Sequence, residues 1–164
     1  MSFCESFAPA IDTKSKILIL GSMPGIQSLN QQQYYAHPQN RFWRVITAVC
    51  QEDAVPENYE DKLTMLLQHQ FALWDVIQSC EREGSLDSAI LQEIPNDFTS
   101  LLEAYPQIKT ICFNGGKAFS SYKKHFKMMQ SDRINYITLP STSPANARWT
   151  LPKLISHWQH TIYS

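Results

Sequence analysis

Four short apolar runs along the chain predict β-strands. They cover Lys16–Leu20, Phe71–Ile77, Ile108–Phe113 and Ile134–Leu139. In each run the apolar residues mostly follow one another instead of alternating with polar ones, a pattern typical of strands buried on both faces of a parallel sheet. The runs therefore predict four parallel strands.

Segments with helical periodicity separate and follow these runs. In the first segment, Phe42, Ile46 and Val49 fall on one side of the predicted helix. Because strands and helices alternate, the sequence predicts a three-layer α/β fold, in which an open, mostly parallel four-stranded sheet has helices on both faces. No repeat or linker divides the chain, so we expect a single domain over residues 1–164. The predicted helices cover Arg41–Cys50, Glu57–Gln70, Lys117–Met128 and Leu151–Ile162.

This topology also predicts where a ligand binds. In open α/β sheets, ligands bind beyond the carboxyl ends of the strands. One loop begins at or near the end of each predicted strand; these loops start at Gly21, Asp75, Asn114 and Pro140. We therefore expect these loops to line one cleft.

Composition excludes several classes of protein. With 43% hydrophobic residues in 164, the chain can build a core and is not expected to be disordered. Its first residues do not resemble a signal peptide, and no apolar run reaches membrane-spanning length. The four cysteines are far apart, and no cluster has the spacing of metal ligands. We therefore expect a monomer in the cytoplasm, with free thiols and with no membrane contact, metal or cofactor.

Charge is distributed unevenly, although the net charge is only −1. Residues 52–103 contain twelve acidic side chains against Lys62 and Arg82, whereas the chain from Lys109 onward has eight basic side chains against Asp132 alone. This asymmetry predicts one basic face that could bind a polyanion. A run of like charge is more often only a solvated surface, so the prediction needs support from motifs.

The loop Gly21–Gly25, with the sequence GSMPG, follows the first predicted strand. Its glycines and proline favour a tight turn that exposes backbone N–H groups, which could stabilise a developing anion. The alternative is an ordinary turn between a strand and a helix. The loop differs from both glycine-rich phosphate-binding motifs, because it contains neither GxGxxG nor GxxxxGK[ST].

Several motifs together resemble the uracil-DNA glycosylase superfamily. GSMPG is followed by HPQNRFW at residues 37–43, which is similar to the mismatch-specific uracil glycosylases. Three further stretches resemble the hypoxanthine (deoxyinosine) DNA glycosylase branch: ALWDVIQSCEREGSLDSAI, FNGGKA and LPSTSPANA, at residues 72–90, 113–118 and 139–147. Because these blocks agree in order and spacing over most of the chain, the resemblance is specific.

The resemblance implies a monofunctional DNA glycosylase that acts in base excision repair on double-stranded or single-stranded DNA. Such an enzyme flips a deaminated base into a pocket and cleaves its N-glycosidic bond with water, without a covalent lysine intermediate. The resemblance implies that hypoxanthine is the preferred base, with uracil as the alternative. Two readings from other classes stay open, namely a non-catalytic protein that binds damaged DNA and a hydrolase of free nucleosides or nucleotides.

Asn40 is the predicted catalytic side chain, as the hypoxanthine branch also suggests. Many members of the superfamily carry an Asp or Asn in the first loop that holds the attacking water, whereas this loop carries Ser22, the second catalytic candidate. An amide can orient water without a shifted pKa. The alternative role of Asn40 is to cap the helix predicted to begin at Arg41.

Four residues are predicted to contact the flipped base. Phe42 could stack on it, although a Phe in this pattern is as often a core residue. Asn114 ends the third predicted strand, and its amide matches the N–H and C=O edge of uracil or hypoxanthine. Met23 and Pro24 complete this set.

The loop Pro140–Arg148, called the last loop below, is predicted to bind DNA. It combines hydroxyl groups that suit phosphates with rigid prolines and a cation, and it leaves the carboxyl end of a strand. Its candidates are Ser141, Ser143, Pro144, Asn146 and Arg148. His37, Asp75 and Asp87 are secondary candidates for proton transfer, although loop or capping roles are commoner for such residues.

Overall fold

The structure is a computed structural model and describes residues 2–126 and 133–164. Strands and helices alternate through most of this part of the chain. The strands are β1 (Phe3–Glu5), β2 (Ile17–Gly21), β3 (Phe71–Asp75), β4 (Ile77–Glu81), β5 (Leu91–Pro95), β6 (Thr110–Asn114) and β7 (Asn135–Leu139). The helices are α1 (Ile26–Gln31), α2 (Phe42–Val49), α3 (Tyr59–Gln68), α4 (Phe98–Ala104), α5 (Gly116–His125) and α6 (Leu151–Ile162).

The main sheet has four parallel strands in the order β3-β2-β6-β7. These are the four strands predicted from the apolar runs, so the predicted parallel sheet is confirmed. Gly21 lies directly beside Asp75, and Asn114 lies beside Leu139. The register therefore brings the carboxyl ends of all four strands to one edge.

Helices cover both faces of this sheet, as predicted. Along β2, Ile19 packs into the core formed with α2, α3 and α6, whereas Leu18 and Leu20 pack into the core formed with α4 and α5. The side chains of a strand point alternately to opposite faces. The unbroken apolar run of β2 therefore supplies both cores, which explains why it does not alternate with polar residues.

A second sheet was not predicted. It is antiparallel, with the strand order β1-β4-β5. The predicted strand Phe71–Ile77 is wrong at its end, because β3 stops at Asp75 and Ile77 already belongs to β4. Only Val76 separates the two strands, and its N–H donates to the Gly21 carbonyl at 2.8 Å. The chain thus passes from one sheet to the other beside the end of β2.

The predicted helices agree with the structure to within a few residues. α6 has the predicted bounds, and α3 begins after Asn58, whose side chain accepts a hydrogen bond from the Asp61 N–H. The last two positions of the predicted helix Lys117–Met128 lie outside the described residues. The short helices α1 and α4 were not predicted. None of the helices in the described ranges is long and apolar enough to span a membrane.

Candidate active site

A cleft of about 890 Å³ opens at the carboxyl ends of the parallel strands. Gly21, Asp75, Asn114 and Pro140 all line it. The structure therefore brings together the four loops that the predicted topology assigned to one cleft. This volume lies within the range of pockets that hold small molecules.

The loop Gly21–Gly25 forms one wall and is held through its carbonyl groups. The Ser22 carbonyl accepts from the Ile77 N–H at 3.1 Å, and the Pro24 carbonyl accepts from the Arg82 guanidinium. The backbone N–H groups of Met23 and Gly25 donate to no group within residues 2–126 and 133–164. The loop therefore has fixed carbonyls and unused N–H donors.

Ser22 is connected to the segment that follows β4. Its hydroxyl donates to Asp87 Oδ1 at 2.5 Å, and Ser85 Oγ nearby accepts from the Ile26 N–H at 2.9 Å. Asp87 thus has the loop-organising role that was the commoner expectation for it. These bonds place the segment 85–88 along one rim of the cleft.

Asn40 lines the cleft at the start of α2. Its Oδ1 accepts hydrogen bonds from the Phe42 N–H and from the Thr142 hydroxyl, both at 2.9 Å. The expected capping role is therefore present, with Arg41 rather than Asn40 as the N-cap residue. Its Nδ2 has no hydrogen-bond partner in the described part of the chain, so this group is available to a ligand.

Thr142 connects Asn40 to Asn114. Its hydroxyl donates to Asn40 and accepts from Asn114 Nδ2 at 3.0 Å, while its N–H donates to Asn114 Oδ1 at 3.0 Å. Thr142 is completely buried. The two amides that the sequence selected are thus parts of one hydrogen-bonded unit, which includes a threonine that the sequence analysis did not select.

Phe42 does not reach the cleft, contrary to the prediction that it stacks on a base. It is completely buried in the core with α6 and does not line the cleft. The ring of Tyr35 stacks on it, with 4.0 Å between centroids and 19° between planes. Because Tyr35 does line the cleft, it lies where Phe42 was expected.

Tyr35 has an unusual backbone conformation, with φ at 55°. Bulky side chains rarely adopt this left-handed region. The Tyr35 hydroxyl accepts a hydrogen bond from Asn114 Nδ2 at 3.2 Å, and the Tyr35 ring stacks on the Phe42 ring. Burial, with Asp75 nearby, raises the pKa of this hydroxyl, so it stays a neutral donor.

Arg41 fastens the last loop to α2. Its guanidinium donates to the carbonyls of Ser143 at 2.8 Å and Asn146 at 3.1 Å, and also to that of Trp149. Its backbone N–H donates to the Thr142 carbonyl at 3.1 Å. The arginine of HPQNRFW therefore sets the conformation of a loop about a hundred residues away in sequence.

The predicted DNA-binding residues divide into two groups. Ser141, Ser143 and Asn146 line the cleft but also bond within their own loop: Asn146 Nδ2 donates to the Ser141 carbonyl at 3.0 Å, and the Ser143 N–H donates to Ser141 Oγ at 3.1 Å. Pro144 lines the cleft and is exposed. Arg148 is exposed outside the cleft.

The remaining candidates also lie at the cleft. Met23 and Pro24 are buried in its wall, whereas His37 is exposed and accepts from the Gln39 N–H at 3.1 Å.

The residues 2–126 and 133–164 contain no group of three or more His, Cys, Asp or Glu side chains that could hold a metal ion.

Asp75 lies deepest among the titratable candidates, with 4% of its surface exposed. Burial raises its pKa to about 7, and Asp87 adds to the shift while Arg82 opposes it. A Cβ on Gly21 would lie 2.7 Å from Asp75 Oδ1 and 3.1 Å from the Tyr35 hydroxyl. Glycine is therefore required at the end of β2 if these two side chains are to lie side by side.

Sequence reasoning missed Tyr35, Thr142 and the roles of Arg41 and Arg82. Tyr35 stands in the same polar and aromatic segment as HPQNRFW, so its position was the available signal. Thr142 and Arg82 carried no comparable signal, because a Thr in a Ser/Pro loop and an Arg beside two acidic residues are usually surface residues.

The chain is similar to known proteins over most of its length. The model of the uracil DNA glycosylase superfamily matches residues 8–161. The chain is 42% identical over 146 residues to a hypoxanthine DNA glycosylase of Methanosarcina acetivorans, which covers 89% of this chain and 90% of that one. It is 41% identical over 114 residues to a hypoxanthine DNA glycosylase of Methanosarcina barkeri, which covers 70% and 72%.

A solved structure is also similar. It is a solution NMR structure of a protein from Methanosarcina acetivorans described as a candidate uracil DNA glycosylase. The TM-score is 0.81 with 37% sequence identity, and the match covers 97% of this chain and 98% of that one. With the family match over residues 8–161, this chain belongs to the uracil DNA glycosylase superfamily.

Proposed function

We propose that this protein is a monofunctional DNA glycosylase that excises a deaminated base, hypoxanthine before uracil, from DNA. The cleft at the strand ends, with Asn40 and Asn114 joined through Thr142, carries this proposal. The relatives named as hypoxanthine DNA glycosylases support the choice of base.

The flipped base would stack on Tyr35. Its ring lines the cleft and rests on the buried Phe42 ring, so it offers a flat and rigid surface. Stacking on an aromatic ring contributes affinity and tolerates differences between bases. Purine and pyrimidine substrates could therefore use the same platform, and the preference between them would come from contacts to the base edge.

Bond cleavage requires stabilisation of the departing base and a positioned water. When the C1′–N bond breaks, its electron pair moves to the base. The unused N–H groups of Met23 and Gly25 can stabilise the resulting negative charge by donating hydrogen bonds. Asn40 would position the water through Nδ2, because its Oδ1 already accepts two hydrogen bonds. This arrangement needs no covalent intermediate.

DNA would lie across the cleft mouth, with the last loop at its backbone. Arg148 is exposed beside this loop, and Ser141, Ser143, Pro144 and Asn146 shape its surface. Phosphate contacts of this kind position a protein without reading sequence. The same contacts are available to single-stranded and double-stranded DNA.

A panel of oligonucleotides tests the proposal. Single-stranded and duplex DNA with one hypoxanthine, uracil or xanthine is incubated with the protein, and alkali then cleaves any abasic site. We expect cleavage at hypoxanthine to be fastest. Tight binding without alkali-labile sites would favour a damage-binding protein, and activity on free inosine alone would favour a nucleoside hydrolase.

A further inference from the structure

Asp75 is a buried carboxyl at the floor of the cleft. It ends β3 directly beside Gly21, lines the cleft and has 4% of its surface exposed. Asn96 Nδ2 donates to its backbone carbonyl at 2.7 Å, so the main chain at this position is fixed. Within residues 2–126 and 133–164, the carboxyl Oδ2 has no such support.

The two carboxyl oxygens differ in their surroundings. Oδ2 is fully buried and has no hydrogen-bond partner among the described residues. Oδ1 lies against the Gly21 backbone, near the Tyr35 hydroxyl. A buried carboxylate without partners is costly, whereas a neutral carboxyl in the same place is much less so. The position thus favours the protonated form of Asp75.

Charged groups around Asp75 do not reverse this preference. Arg82, which directly follows β4, donates to the Pro24 carbonyl, and in the described part of the chain it donates to no oxygen of the Asp75 carboxyl. Asp87, on the rim formed by the segment 85–88, adds a negative charge and accepts from the Ser22 hydroxyl. Tyr34 and Tyr35 face Asp75 as neutral hydroxyls, while His37 lies at the exposed edge of the cleft. Burial and Asp87 outweigh Arg82 and keep the pKa of Asp75 at about 7.

The floor of the cleft is short of hydrogen-bond donors. Both Nδ2 hydrogens of Asn114 are used, by the Tyr35 hydroxyl and by Thr142. The carbonyl oxygens of hypoxanthine and uracil, and N3 and N7 of hypoxanthine, are acceptors and need donors. Among the described residues at this floor, a protonated Asp75 is the side chain that can supply one besides the Tyr35 hydroxyl.

We propose that Asp75 contacts the flipped base as a neutral acid and donates a hydrogen bond to one of its acceptor atoms. This inference rests on the proposed glycosylase function. When the C1′–N bond breaks, its electron pair moves to the base, and the carboxyl donor stabilises the charge that an ionised carboxylate would repel. Water supplies the hydroxyl group to C1′ and a proton to the base, so Asp75 keeps its own proton.

The pH dependence of the wild-type protein is the first test. Single-turnover excision of hypoxanthine is measured from pH 5 to 9 under saturating enzyme. We expect a constant rate at low pH and a fall of about tenfold for each pH unit above the pKa of Asp75. A rate that instead rises with pH through 7 means that the carboxylate is the working form, and the inference is then wrong.

Two variants assign this profile to Asp75. Asp75→Asn keeps a neutral donor, so we expect a rate within about tenfold of wild type at low pH and no fall at high pH. Asp75→Ala should be at least about a hundredfold slower than wild type at low pH, and its rate should not fall further above pH 7. The exposed Asp53→Asn is the matched control and should keep the wild-type profile. Folded Asp75→Asn that is as slow as Asp75→Ala, or that keeps the fall, overturns the inference.

Asp87→Asn provides a measurement that does not alter Asp75. Removal of this negative charge lowers the pKa of Asp75, so the fall in rate should begin at lower pH. An unmoved or higher midpoint contradicts the inference, even if Asp75→Asn fails to fold. A wild-type protein that excises no base at any pH counts against the proposed function instead, so the two failures are distinguishable.

Discussion

Thr142 and Tyr35 at the cleft each contact two other side chains of the site. Thr142 uses its N–H and its hydroxyl to hold Asn40 and Asn114 together, and Tyr35 rests on Phe42 while it accepts from Asn114. Each candidate side chain is thus held by its neighbours before any base enters. Such fixed geometry is what positioning of a water and a base requires.

Asn40→Ala should lower the excision rate by about a hundredfold or more, since it removes the Nδ2 donor. It also removes the acceptor of two hydrogen bonds, so we expect a loss of roughly 1–2 kcal/mol in the free energy of unfolding. Single-turnover excision and urea denaturation measure the two effects separately. Asn135→Ala, at the opposite end of the sheet, is the control and should change neither. Full turnover by folded Asn40→Ala would exclude its catalytic role.

Gly21→Ala should destabilise the protein by roughly 1–3 kcal/mol, because its Cβ would lie 2.7 Å from Asp75 Oδ1 and would push this buried side chain out of its place. We also expect slower excision, since Asp75 and Tyr35 must shift. Gly116→Ala, whose Cβ would meet nothing within 4 Å, is the comparison for thermal unfolding. Equal stability of the two variants would mean that the site is not tightly packed at Gly21.

At the level of elements, the sequence predicted the parallel sheet but not the antiparallel one. Continuous apolar runs such as β2 identify strands that serve two cores. The boundary between β3 and β4 could not be read in this way, because Val76 and Ile77 continue the apolar run while the chain changes sheets. The turn arises from hydrogen bonds to the Gly21 and Ser22 carbonyls, which are tertiary contacts.

The candidate site shows the same division. Asn40, Asn114 and Asp75 could be predicted, because they stand at the ends of elements in recognisable motifs. The exchange of Phe42 for Tyr35 could not, since both are aromatic residues of one segment and only the packing of α2 on α6 decides which is buried.

Arg41→Met should loosen the last loop without unfolding α2. The substitution removes the guanidinium donor from the carbonyls of Ser143, Asn146 and Trp149, and only those of Ser143 and Asn146 keep a backbone N–H donor within the described residues. We therefore expect a loss of roughly 2–4 kcal/mol and faster hydrogen exchange over residues 141–149. Hydrogen exchange by mass spectrometry measures the effect. Arg44→Met, exposed on the same helix, should leave exchange in the loop unchanged. Wild-type exchange in Arg41→Met would show that other contacts set the loop.

For the whole molecule, the predicted basic face is smaller than the sequence suggested. Glu93 Oε1 lies 3.0 Å from Lys117 Nζ and 3.8 Å from Lys124 Nζ, so part of the positive charge on α5 is neutralised by the second sheet. The segment 85–88, along one rim of the cleft, carries the negative charge of Asp87. The last loop, with Arg148, is then the side of the cleft at which phosphates would be attracted.

Arg148→Ala should weaken DNA binding and make it less dependent on salt. Loss of one phosphate contact reduces the slope of log K against log salt concentration by about 1. Fluorescence anisotropy of a labelled oligonucleotide at several salt concentrations measures this slope. Lys109→Ala, which removes a lysine at the amino ends of the strands, should keep the wild-type slope. The role of Arg148 is excluded if both variants behave alike.

Stability should depend on pH through Asp75. Its pKa is about 7 in the folded protein against 3.8 for a free side chain, so the folded state binds the proton more tightly. This contribution is fully present below about pH 4 and is lost as the pH rises through 7. Relative to wild type, Asp75→Asn should therefore gain up to about 4 kcal/mol in the free energy of unfolding between pH 4 and 8. Denaturant titrations across this range measure the difference, which should be flat for Asp53→Asn.

The direct passage from β3 to β4 has a consequence for engineering. One rim of the cleft is carried by a small appended sheet, whereas the opposite rim is fastened to the parallel core by Arg41. The segment between β4 and β5 can therefore be shortened, exchanged or grafted while the amide unit of Asn40 and Asn114 stays in place. Libraries confined to residues 83–89 that keep Ser85 and Asp87, which bond Ile26 and Ser22, would change which substrates enter without rebuilding the scaffold that holds them.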